Sequence, residues 1–180
     1  MYFETAGPEN TAQTIKLAIQ AATERKIKHI VVASNTGDTA RFLKELPGIQ
    51  AVCVTHVNGM RKNGENELAE DVRTDLLNSG MRVLTTTHVL SGAERGISKK
   101  FGGVNPVELI AQTLRMLGQG TKVCVEISVM ALDAGLIPFG APIIAIGGTG
   151  RGADTAVILT PAHASSIFDT WIHEVICKPV

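Results

Sequence analysis

Three short runs of the chain are apolar at nearly every position: His29-Ile30-Val31-Val32-Ala33, Ala51-Val52-Cys53-Val54-Thr55 and Ile143 to Ile146. A strand with one wet face alternates polar and apolar residues. Runs this continuous and this rich in β-branched residues belong to strands covered on both faces, as in a parallel sheet between helical layers. The segments around them carry a helical period instead. Ile15, Ala18, Ile19 and Ala22 fall at i, i+3, i+4 and i+7, with Asn10 and Gln13 placed as a capping box. A second helix is expected after Thr36, using Phe42, Leu43 and Leu46 and stopping at Pro47-Gly48.

Asn58 to Asn66 reads as a polar loop. Leu68, Val72 and Leu76 then mark a helix ending at Asn78-Ser79-Gly80, and Arg82 to Thr86 a strand. Ser91 with Glu94 predicts a capped short helix reaching Phe101, and Asn105-Pro106-Val107-Glu108 a strong helix start. Thr121 to Gly135 fits both periods, but its length and its Asp133-Ala134-Gly135 ending favour a helix buried on most sides. Ala156 to Leu159 and Val175 to Cys177 complete the strands. The expected fold is α/β: three layers, α/β/α, around a mostly parallel sheet, with residues 1–180 as a single domain.

Lysine plus arginine equals aspartate plus glutamate at 17 each, and aromatic residues make up 4%. A nucleic-acid binder needs a basic surface or stacking aromatics, so nucleic acid is not an expected partner. The charged fraction, 19%, is below the usual quarter or so, which points to surface buried in a homo-oligomer. Cys53, Cys124 and Cys177 form no paired motif, and the histidines have no metal-ligand spacing, so neither disulfides nor zinc are expected. The longest apolar stretch, Gly135 to Gly148, is broken by Pro138, Gly140 and Pro142. No membrane association is expected, and the reading is of a soluble cytoplasmic protein.

Ligands of an open parallel sheet bind beyond its carboxyl edge, where strand order reverses. Four strand ends turn polar abruptly there. The first, Ser34-Asn35-Thr36-Gly37-Asp38-Thr39, offers backbone N–H groups and hydroxyls as a phosphate or carboxylate seat, with an ordinary capped turn as the alternative. It lacks a P-loop lysine. Thr55-His56 and Thr87-His88 follow two other strands, and the two histidines are the acid–base candidates. The fourth, Gly147-Gly148-Thr149-Gly150-Arg151-Gly152, contributes to Gly148-x-Gly150-x-x-Ala153, which spells a dinucleotide fingerprint but leads into a strand, so it reads as a hairpin or as a glycine loop holding an anion with Arg151. Glu126 and Asp133 share a helix face that reads as its solvent edge.

These turns, with Glu9-Asn10-Thr11, Gly64-Glu65-Asn66, His88-Val89-Leu90-Ser91-Gly92, Glu94-Arg95, Lys122-Val123-Cys124-Val125-Glu126 and Arg151 to Ala156, resemble the C-terminal domain of pyruvate kinase. They resemble still more the stand-alone prokaryotic family with that domain's fold. The resemblance implies flavin mononucleotide (FMN), its phosphate held by Ser34–Thr39 and the Arg151 loop and its ring lying toward Thr55, His56, Thr87 and His88. It implies no particular reaction. The alternative is a regulatory module sensing a sugar phosphate or nucleotide without catalysis. The chain has no room for pyruvate kinase's catalytic barrel, and kinase activity is not expected.

Overall fold

A computed structural model describes all 180 residues, Met1 to Val180. The strands are β1 (Tyr2–Phe3), β2 (His29–Ala33), β3 (Gln50–Val54), β4 (Arg82–Leu84), β5 (Ile143–Gly147), β6 (Thr155–Thr160) and β7 (Trp171–Pro179). The helices are α1 (Thr11–Arg25), α2 (Glu70–Asn78), α3 (Gly92–Phe101), α4 (Pro106–Arg115) and α5 (Gln119–Asp133). One sheet runs β1-β7-β6-β5-β2-β3-β4. Strands β5, β2, β3 and β4 are mutually parallel, and β6 alone opposes its neighbours.

Register explains the apolar runs. Ile30 lies opposite Ala51 and Ile144, Val31 opposite Val52 and Ala145, and Val32 opposite Cys53 and Ile146. Ile30, Val32, Cys53, Ile144 and Ile146 pack against Ile15, Ala18 and Ala22 of α1 and Leu76 of α2. Val31, Val52 and Ala145 point the other way, onto Cys124, Ile127 and Ala131 of α5. Each fully buried Ile or Val contributes about 1.5–3 kcal/mol, so both faces must be apolar for the sheet to sit centrally. Burial pushes the Cys53 thiol up to about 12, and it acts as a core residue.

Helix α5 has twelve of its fifteen residues buried, with the sheet on one side and α4 on the other. Helix α3 packs in turn on α4. The α/β/α layering is therefore as expected, and no helix is long and apolar enough to cross a membrane.

Several local expectations fail. The segment after β2 forms no α-helix, only a 3-10 turn at Ala40–Leu43. Lys44 is extended and Glu45 has φ 56°, so the chain breaks before Pro47 and leaves too few residues to repay helix nucleation. Asn10 caps nothing with its side chain, because its amide donates instead to the Thr5 carbonyl at 2.8 Å. The Ser91 hydroxyl does not cap α3 either. Glu94 reaches across to accept the Val107 N–H at 2.8 Å, at the start of α4, where Glu108 also closes back on the Asn105 N–H. Strand β7 is longer than Val175–Cys177, and the two-residue β1 was not anticipated.

After β2 the chain moves outward to β3 and β4, then returns to place β5 on the opposite side of β2. The carboxyl ends of β2 and β5 thus flank the point where strand order reverses.

Candidate functional site

A cleft of about 940 Å³ opens at that edge. The turn after β2 forms one wall. The Ser34 hydroxyl accepts the Ala40 N–H at 3.2 Å, and the Thr36 hydroxyl donates to Asp38 at 2.8 Å. Gly37, at φ 87°, faces away from the cleft. A Cβ there would lie 2.5 Å from Val72 Cγ1, so the turn is pressed onto α2.

The β5–β6 hairpin forms the facing wall, and the strand after it is antiparallel, which excludes a dinucleotide fold at this motif. Asp154, fully buried, holds the hairpin by accepting N–H groups of Gly7 (3.2 Å) and Thr149 (3.1 Å) and the Thr155 hydroxyl (2.8 Å). Thr11 accepts the Ala153 N–H at 3.0 Å. Arg151 at the tip keeps 85% of its side chain exposed and approaches Asp38 at 3.9 Å, so the two walls meet across the mouth.

Deeper in, His56 Nδ1 lies 2.5 Å from Glu67 Oε2. A carboxylate only accepts, so Nδ1 is the donor and carries a proton. Arg61 holds the other Glu67 oxygen at 2.8 Å. The His88 ring centre is 5.4 Å from that of His56, and its Nε2 accepts the Val57 N–H at 3.4 Å. Burial keeps His88 below its usual pKa; Glu126 pulls upward and His56 adds to the depression. The ring is neutral at pH 7.

The inner wall comes from α5. Lys122 is 5% exposed and Glu126 likewise, with Lys122 Nζ 2.5 Å from Glu126 Oε2. Glu126 Oε1 accepts the Leu90 N–H at 3.0 Å. Glu126 is thus a buried partner rather than a solvent edge; Asp133, seven residues on, is surface-exposed and bonds His163 at 2.7 Å.

Of the residues expected from sequence, Ser34, Asn35, Thr36, Asp38 and Thr39 line the cleft from one side. Gly148, Arg151 and Gly152 line it from the other, and Thr55, His56 and His88 from within. Gly37, Thr87, Gly147 and Thr149 do not reach it. Sequence reasoning passed over Glu67, Arg61, Lys122 and Glu126 as site residues. Glu67 directly follows the loop that bears Arg61, and only the fold brings it to His56. Lys122 and Glu126 carried a signal, an i, i+4 ion pair inside an otherwise apolar helix.

The family model described as pyruvate kinase, alpha/beta domain, matches residues 12–159. The chain belongs to the pyruvate kinase alpha/beta domain family. Among solved structures, this domain is similar to a pyruvate kinase from Cryptosporidium parvum, at 16% identity and TM-score 0.44, over 82% of this chain and 22% of that one. A second structure of pyruvate kinase from that organism matches at 15% identity and TM-score 0.41, covering 82% and 21%. A third, in complex with ADP, matches at 16% identity and TM-score 0.41, covering 81% and 22%. The chain therefore spans little more than a fifth of those enzymes.

Proposed function

We propose that the cleft binds a phosphorylated small molecule, and that this ligand is flavin mononucleotide. The observation that carries the reading is the approach of Arg151 to the Ser34–Thr39 turn across the cleft mouth. A phosphate between them would meet a guanidinium on one side and the hydroxyls and N–H groups of a tight turn on the other. Arg61, Arg95, Arg115, Lys122 and Arg151 line the cleft against Asp38, Glu67 and Glu126, so cations outnumber anions there in a chain of zero net charge. The volume is at the upper end for small-molecule sites, about 300–1,000 Å³. Beyond the phosphate, Val123, Leu90, Ile127 and Met130 supply apolar surface for a ring beside Thr55, His56 and His88.

The test is the visible absorbance spectrum of the purified protein, repeated after adding flavin mononucleotide and desalting. A retained flavin spectrum supports the reading. A colourless protein that retains none refutes the flavin. Thermal stabilisation by inorganic phosphate then tests the anion seat separately, and its absence would refute that as well.

A further inference from the structure

Lys122 is the one lysine among the residues lining the cleft. Its position opposes its own charge twice. It is almost wholly buried, and it lies in the first turn of α5, where the helix dipole is positive. A buried ion pair adds little to stability compared with apolar side chains of similar size, so packing alone gives this pair no purpose. Burial lowers the Lys122 pKa, with Glu126 opposing in part. A lysine desolvated in this way, at the wall of a cleft and with a carboxylate on its amine, has the setting of an amine nucleophile.

We infer that Lys122 forms an imine with an aldehyde or ketone bound in the cleft, with Glu126 as its proton carrier. The ammonium passes a proton to Glu126, and Nζ attacks the carbonyl carbon. The C–N bond forms as the carbonyl electron pair moves to oxygen, which takes the proton leaving nitrogen, giving a carbinolamine. Glu126 then protonates that hydroxyl, the C–O bond breaks and water departs. Ammonium and carbonyl have become iminium and one water, and Glu126 is again a carboxylate.

The full chain is incubated with pyridoxal 5′-phosphate, or with unphosphorylated pyridoxal, then reduced with borohydride and mapped by peptide mass spectrometry. The choice of a phosphorylated aldehyde rests on the phosphate reading above; the amine chemistry does not. The expected result is an adduct at Lys122 ahead of the other eight lysines. Because burial lowers its pKa, the share of adduct found at Lys122 rather than at surface lysines should rise as the pH falls from about 9 to about 7. Adducts confined to surface lysines with both aldehydes would overturn the inference. If pyridoxal labels Lys122 as well as its phosphate does, the amine stands and the phosphate seat fails. If inorganic phosphate binds but neither aldehyde reaches Lys122, the amine alone falls.

Discussion

Lys122 Nζ sits 2.5 Å from Glu126 Oε2, one turn along α5, and neither side chain is more than 7% exposed. Removing one member strands the other. Glu126→Gln keeps an oxygen for the Leu90 N–H but leaves a buried ammonium without its counter-charge, at an expected cost of about 3 kcal/mol. Adding Lys122→Met to that variant should restore part of the loss, because the unpaired charge is gone. Urea unfolding midpoints at pH 7 measure both, and a double variant less stable than Glu126→Gln alone would contradict this account.

Asp38 stands in the proposed phosphate seat and approaches both Arg41 and Arg151 at 3.9 Å. An incoming phosphate has to compete with that carboxylate for Arg151 and is repelled by it. Asp38→Asn should therefore tighten phosphate binding several-fold. Arg151→Ala should weaken it by about 1–3 kcal/mol, the worth of a charged hydrogen bond. Because Arg151 is exposed, neither change should move the melting temperature much. Calorimetric titration with inorganic phosphate reads both effects.

His88 gives the fold a pH dependence with a definite sign. Its folded pKa lies below the unfolded 6.5, chiefly through burial, so between those two values the unfolded chain binds the extra proton. The stability it contributes is complete above pH 6.5 and declines as pH falls toward the folded value. Asp75 and Glu108, both held below their usual carboxylate values, lose theirs only in more acid solution. His29 shares the direction of His88, so His88→Gln should flatten the decline just below pH 6.5 without abolishing it. Melting temperature against pH, wild type beside variant, tests this.

The sheet was legible because it is a matter of composition along short runs. Ile30, Val31 and Val32 are apolar on both faces, and only a covered parallel strand accommodates that. The two walls of the cleft were legible for a related reason: polar, glycine-bearing segments directly after such strands have little else to do than turn at the ligand edge. What stayed hidden depends on long-range partners. Phe42, Leu43 and Leu46 share a helical period, yet Phe42 is exposed because the turn is too short to form the helix that would bury it. Nothing in spacing separates a charge at a helix's wet edge from one aimed into a cleft, and Glu126 was misread for that reason. The His56–Glu67 contact joins a strand end to the residue just past a loop, and the loop's path decides it.

Glycines 96 and 120 separate local from tertiary causes, since both lie inside helices. A Cβ at Gly96 of α3 meets nothing within 4 Å, whereas one at Gly120 of α5 would lie 2.0 Å from Thr155 Oγ1 and 2.4 Å from Thr155 Cβ. Gly96→Ala should thus gain up to about 1 kcal/mol from helix propensity alone. Gly120→Ala should lose about 1–3 kcal/mol by forcing the helix off the hairpin. The damage would not stop at packing. Thr155 donates to Asp154, and the same carboxylate holds the Gly7 and Thr149 N–H groups, so pushing Thr155 loosens the loop that carries Arg151. Gly120→Ala is therefore expected to lose phosphate affinity as well as stability, and Gly96→Ala to keep its affinity. Unfolding midpoints and phosphate titrations on the two variants decide it: equal behaviour of the pair would mean that α5 does not buttress the hairpin.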